Sequence, residues 1–222
     1  MKKNLVSMLF LICLFTYTAK PAYSIFEVAA EGTYGGYTLK NKDASATETE
    51  KEMNFSGPGL SAFAHFTLGI PMVLTIGLGP SVDIAWLTYS GDLKGITTLA
   101  AIRAGAEIML TLDVVPVVSP FVRAGYTYDI NAYDMEVPYV NITLPITMTG
   151  SSFHVNGGII YPLVPLVKLV LEGGIVSGST TTSVEDPTNS VDPAVLGLLD
   201  SLNKQEQDHS AWRVGLGIMI SI

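Results

Sequence analysis

From Phe26 onward, apolar side chains return at every second position. Phe26, Val28 and Ala30 fall on one face of an extended chain, with Glu27, Ala29 and Glu31 on the other. The alternation recurs through Leu60, Ala62, Ala64, Phe66 and Leu68, and again from Leu74, Ile76 and Leu78 to Val82, Ile84 and Trp86. Ala100 to Ile108, Val122 to Ile130, Val155 to Ile159, Val167 to Ile175 and Trp212 to Ile222 repeat it. A period of two is the mark of a β-strand with two unlike faces. Eight such segments are present, most of them reaching the roughly 10 residues that a tilted strand needs to cross a bilayer.

Alternation does not say which face points inward. Hydrophobic residues make up 48% of the chain and charged residues only 14%. A soluble secreted barrel would carry many Lys, Glu and Asp on its outer face. Here the polar faces hold mostly Gly, Ala, Ser and Thr, with one or two charges per segment. That composition suits a crowded lumen in which small residues leave room for a few long charged ones, while the apolar face meets lipid. The pattern therefore predicts an all-β fold, an eight-stranded antiparallel transmembrane up-and-down barrel. Its inner face would carry Asp83, Arg103, Glu107, Arg123, Asp129, Lys168, Glu172 and Arg213. Charges so placed must pair, either as a fixed salt-bridge plug or as a gate that opens by exchanging partners.

The connections alternate in character. Those after the second, fourth and sixth segments are brief or proline-bearing (residues 69–71, 112–120 and 161–165), and Pro is tolerated at strand starts. Two of the others, residues 39–54 and 179–209, are long and polar. Short periplasmic turns and longer external loops predict an outer-membrane barrel of a diderm bacterium with both termini periplasmic. Tyr34, Tyr37, Trp86, Tyr89, Tyr126, Tyr128, Tyr133 and Trp212 gather toward the long-loop ends, as an interfacial aromatic girdle would.

The N-terminus reads differently. Lys2 and Lys3 precede an apolar run over residues 5–15, and Ala22 and Ser24 provide small residues before Ile25. Residues 1–24 are expected to be a cleaved secretory signal peptide, leaving a barrel domain at 25–222. The only cysteine, Cys13, lies in the signal, so the barrel has no disulfide, thiol catalyst or cysteine-ligated metal. Removing three lysines leaves 9 basic and 20 acidic residues, a net charge of −11. Such a balance disfavours nucleic acid as a partner.

Two stretches depart from the simple pattern. Ile142, Leu144, Ile146 and Met148 alternate cleanly, but the apolar phase flips before Phe153, Val155 and Ile159. One long strand with a bulge near residues 149–152 would shift the register there. In the last long connection, Asp192 and Pro193 make an N-cap and first-turn pair. A short helix is expected to follow, with Val195, Leu196, Leu199 and Leu202 as its apolar stripe.

The final segment, Trp212 to Ile222, keeps apolar residues at alternate positions to its end. With the eight-segment pattern it resembles the small outer-membrane barrels of the OmpA transmembrane domain, OmpX and OmpW type, although those usually close on Phe or Trp. The likeness spans nearly the whole of 25–222 and lies in architecture, not in a motif. It implies a non-enzymatic protein with a surface, structural or adhesion role and a largely closed lumen. Two other classes stay open, an OmpW-like channel for small hydrophobic molecules and a lipid-modifying hydrolase. Outer-membrane lipids, periplasmic chaperones, the barrel-assembly machinery, and a surface partner or small hydrophobic ligand are the implied partners of a monomer. No catalytic, cofactor or metal residue is assigned. His65 and His154 fall on inner faces without a serine motif, and the three histidines lack metal-site spacing.

Overall fold

The computed structural model describes residues 26–42, 52–70, 73–91, 96–113, 117–137, 142–184, 203 and 205–222. The expected signal, and the expected helix with Val195, Leu196, Leu199 and Leu202, lie outside these residues. Eight strands follow in order: β1 (Phe26–Asn41), β2 (Glu52–Ile70), β3 (Leu74–Tyr89), β4 (Ile96–Leu112), β5 (Ser119–Val137), β6 (Ile142–Val164), β7 (Val167–Val184) and β8 (Glu206–Ser221). Each pairs antiparallel with the next, and β1 pairs with β8 from Glu27↔Ser221 to Asn41↔Gln207, closing the barrel. Closure leaves no free sheet edge, the condition for a sheet that crosses lipid.

The strands run for 16 to 23 residues, well beyond the roughly 10 that a membrane requires. The excess lies at the end bearing the long connections, the loop end. β1 continues to Asn41 and β2 begins at Glu52, while β7 reaches Val184 and β8 begins at Glu206. Residues 39–41, 52–54, 179–184 and 206–209, expected as parts of loops, are thus strand. His209 lies within β8, buried.

No bulge interrupts β6 near residues 149–152. Its pairing with β5 is unbroken from Val137↔Ile142 to Ser119↔Ile160, and the β6–β7 ladder shifts only between Pro162 and Val164. What changes along β6 is polarity. Leu144, Ile146 and Met148 point inward, as do Ser152, His154 and Asn156 further along the same face. The flip in the sequence marks a switch in what each face touches, with the register intact.

The other strands follow the same order. At the loop end, Tyr37, Leu39, Met53, Phe55, Leu87, Leu99, Ala101, Tyr133, Leu144, Ile146, Met148 and Val184 fill the lumen as an apolar roof. Toward the turn end, Ala29, Phe63, Met109, Phe121, Ile160, Val170 and Met219 form an apolar floor. Between roof and floor lies a polar band. Outside, the band and floor are wrapped by exposed apolar side chains such as Leu60, Leu78, Val122, Ile175 and Leu216. Outside the roof, by contrast, are Lys40, Glu52, Asp134, Glu136, Glu206 and Asp208.

The aromatic girdle divides accordingly. Tyr34, Trp86, Tyr126, Tyr128 and Trp212 are about half exposed on the outer surface. Tyr37 and Tyr133 belong to the roof instead, because their positions share the inward face with Leu39 and Asn131. Tyr89 is half-buried against the roof, its ring 5.4 Å from that of Phe55.

Candidate functional site

The polar band is where the chain concentrates its chemistry. At its centre is Arg123 on β5, fully buried. Its Nε and Nη2 donate to Glu172 on β7 at 2.7 and 2.6 Å, a fork matched to both carboxylate oxygens. Its Nη1 donates to Glu107 on β4 at 2.9 Å, and Nη2 reaches Glu31 on β1 at 3.4 Å. The guanidinium carbon also sits 4.4 Å from the ring centre of Phe63 on β2, within cation–π range.

The pairing extends from there in both directions. Glu107 meets His65 of β2 through one oxygen and His154 of β6 through the other, each at 2.9 Å. Arg213 of β8 reaches Glu172 at 3.1 Å and pairs with Asp83 of β3. Arg103 of β4 stands 3.9 Å from that same Asp83. Every strand therefore contributes at least one residue to a single connected network of ion pairs and hydrogen bonds. Removing one member would strand a buried charge, which costs about 3–5 kcal/mol.

Glycines make the space. A Cβ on Gly125 would lie 2.6 Å from Glu107 Cβ and from His154 Cε1; one on Gly215 would be 3.3 Å from both Glu172 Cγ and Glu31 Oε2. The inward small residues noted in the sequence are thus the sockets of the charged ones. A pocket of about 30 Å³, lined in part by Tyr37, Asp83, Arg103 and Arg213, lies where the band meets the roof. It has room for a water or two.

Of the eight inner-face residues expected from the sequence, six lie in this network: Asp83, Arg103, Glu107, Arg123, Glu172 and Arg213. Asp129 and Lys168 sit apart. Asp129, on β5 nearer the roof, accepts hydrogen bonds from Thr127 at 2.9 Å and Ser152 at 3.0 Å, and its other oxygen lies 3.0 Å from His209 Nε2. His209 stacks on Tyr37 with ring centres 5.2 Å apart, and Tyr37 Oη accepts from Asn131 at 3.0 Å. Lys168 lies at the turn end, where its Nζ meets Glu27 at 2.5 Å and Ser221 donates to the same oxygen at 3.0 Å. Glu27 and Glu31 were not singled out by sequence reasoning, although their alternation with Val28 and Ala30 placed them on the inner face. His65 and His154, placed on inner faces by the sequence, share the carboxylate of Glu107.

The cluster of Ser152, Asp129 and His209 is not arranged as a nucleophilic triad. Asp129 stands between Ser152 and His209, whereas a nucleophilic serine needs the histidine beside it and the carboxylate behind. All three residues are buried. Among the described residues no group of three or more His, Cys, Asp or Glu could hold a metal ion.

No protein-family model matches the chain, and no curated protein matches it. Solved structures do. The chain is similar to the outer-membrane protease OmpT from Escherichia coli, with 9% identity, 89% of this chain and 96% of that one covered, and a TM-score of 0.54. It is similar to Neisserial surface protein A, at 14% identity over 90% and 98% of the two chains and a TM-score of 0.51. The outer membrane protein OprG from Pseudomonas aeruginosa aligns at 10% identity over 90% and 98%, again with a TM-score of 0.51. Identities this low establish a shared fold and nothing finer. The fold is that of the small outer-membrane β-barrels.

Proposed function

We propose that this chain is a non-enzymatic integral barrel of the outer membrane of a diderm bacterium, with its turn end toward the periplasm. It holds its lumen shut and acts through the surface it raises above the bilayer, in membrane integrity, adhesion or contact with an envelope or host component. The observation that carries this reading is the double closure of the lumen. The ion network links all eight strands across the band, and the apolar roof fills the loop end above it. Support for the location comes from the apolar outer belt and from the outer-membrane proteins that share the fold. Bilayer lipids are the constant partner of this monomer. Periplasmic chaperones and the barrel-assembly machinery handle it during biogenesis, after removal of residues 1–24.

Planar-bilayer conductance of the refolded protein tests the closure. Wild type is expected to give no resolvable channels, and Arg103→Ala and Glu107→Ala at most brief, small openings. Steady wild-type channels that either substitution enlarges would sink the sealed reading in favour of a gate.

One observation favours a second reading, a conduit for small hydrophobic molecules. The roof is an apolar lining at the loop end, and such a ligand could occupy it if Leu144, Ile146 and Met148 parted. Wild-type barrels that speed transfer of a hydrophobic fluorophore into vesicles, at a rate lowered by Ala101→Phe, would support this reading over the sealed one.

A further inference from the structure

The ion network is unevenly matched along its length. Around Arg123, the carboxylates of Glu31, Glu107 and Glu172 share one guanidinium. Around Asp83 the balance reverses, since two arginines meet one carboxylate. Arg213 is well supplied there, pairing with Asp83 through Nη1 and with Glu172 through Nη2 at 3.1 Å. Arg103 is not. It stands opposite Asp83 in the β3–β4 ladder and opposite Asp129 in the β4–β5 ladder. Yet it meets Asp83 only at 3.9 Å, beyond hydrogen-bond distance. Asp129 is engaged instead by Thr127, Ser152 and His209. Both arginines are more than nine-tenths buried, and Arg103 Nη1 and Arg213 Nε have no hydrogen-bond partner. A buried donor on a charged group is costly to leave without an acceptor.

Both side chains line the pocket of about 30 Å³ between band and roof. Small residues open that space. Arg213 faces Gly35 in the β8–β1 ladder, Gly35 faces Gly57 on β2, and Ala85 faces Ala101 on the far side. All four of these small residues line the pocket as well. Donors, charge and volume together define the guest. The unpartnered groups are N–H donors, so the guest must accept hydrogen bonds. Asp83 also borders the pocket, and one acid against two arginines leaves a net pull of one positive charge. In so dry a setting that charge favours an anion over a neutral water. A volume close to the roughly 30 Å³ of one water in the liquid excludes sulfate, phosphate and organic acids. A monatomic anion fits.

We propose that this pocket is a binding site for a small monatomic anion of the chloride class, held between Arg103 Nη1 and Arg213 Nε. The anion supplies the partner that Asp83 does not give Arg103, and it ties β4 to β8 across the barrel. The site goes beyond the surface role above and does not depend on it.

Urea unfolding of the barrel refolded in phosphatidylcholine vesicles tests the site, at constant ionic strength in sodium chloride or sodium gluconate. Gluconate is too large for the pocket. Chloride is expected to raise the urea midpoint in a saturable way. At ten times its Kd it multiplies the ratio of folded to unfolded protein about 11-fold. Arg103→Gln is expected to abolish the difference between the two salts. Arg103→Lys, which keeps the charge but loses Nη1, should weaken the apparent affinity for chloride. Lys42→Ala, at the exposed loop end, should leave the chloride effect intact. Equal wild-type midpoints in the two salts would make the guest a water and overturn the proposal. A chloride effect that survives Arg103→Gln, or that disappears with Lys42→Ala, would place the ion elsewhere and overturn it too. Where Arg103→Gln does not refold, the chloride NMR line width decides. Broadening by the wild-type barrel that Arg103→Lys reduces supports the site, and equal broadening by both proteins overturns it.

Discussion

The polar band and the apolar roof share one lumen and the same eight strands, yet they obey opposite rules. In the band, charge lies inside and Leu, Val and Ile lie outside. In the roof, Leu144, Ile146 and Met148 lie inside while Thr143, Pro145 and Thr147 face out. The ladder does not slip between the two. The medium beyond the wall differs instead. Where lipid surrounds the barrel, the outer face takes the apolar residues, and the lumen holds the apolar floor and a band of polar groups that must satisfy one another. Where water surrounds it, the barrel packs as a small soluble protein does. The level at which the outer face turns from apolar to charged at the loop end is therefore a marker of where the hydrocarbon ends.

The contrast can be broken most severely at Arg123. Arg123→Met leaves Glu107, Glu172 and Glu31 buried without their shared cation, and is expected to cost about 3–5 kcal/mol. The denaturant midpoint of the refolded barrel in vesicles measures it. A loss smaller than that of any roof truncation would show that the band does not brace the barrel. In the roof, Met148→Ala removes a fully buried side chain and leaves a cavity, with an expected loss of about 2–3 kcal/mol. Because the band beneath is untouched, conductance should stay at the wild-type level, and an increase would assign the seal to the roof instead. Outside the wall, Lys40 pairs with Glu52 at 2.8 Å with both side chains half exposed. Lys40→Ala should shift stability by less than about 0.5 kcal/mol, so a clear drop in the same titration would contradict the division between inner and outer faces.

Much of this architecture was legible in the sequence. Alternation placed the eight strands and put Asp83, Arg103, Glu107, Arg123, Asp129, Lys168, Glu172 and Arg213 on one side of the wall. It could not say which partners they take. Arg123 faces Met109 and Asn156 in its ladders, and none of its three acids is a ladder neighbour. Glu107 sits diagonally on the adjacent strand β4, whereas Glu172 and Glu31 lie two and four strands away, so those two contacts depend on how the sheet curves and closes, and Gly125 and Gly215 leave the sockets. Alternation also reports that two faces differ without reporting the sign of the difference. For that reason the inversion on β6 resembled a bulge, and Tyr37 and Tyr133 resembled girdle residues. Each followed from assuming that apolar always means outward.

A brace to which all eight strands contribute has a consequence in time. Arg213 on the last strand supplies cations to Asp83 on β3 and Glu172 on β7, and Glu31 comes from the first. A half-built sheet therefore holds carboxylates that still need water and cannot yet be enclosed. Assembly gains little until the first and last strands meet, so the barrel should insert in one concerted late step, as contacts this distant along the chain favour slow folding. The reverse path must reopen that seam and rehydrate the whole network at once. Long residence, more than equilibrium strength, is what such wiring gives a closed barrel.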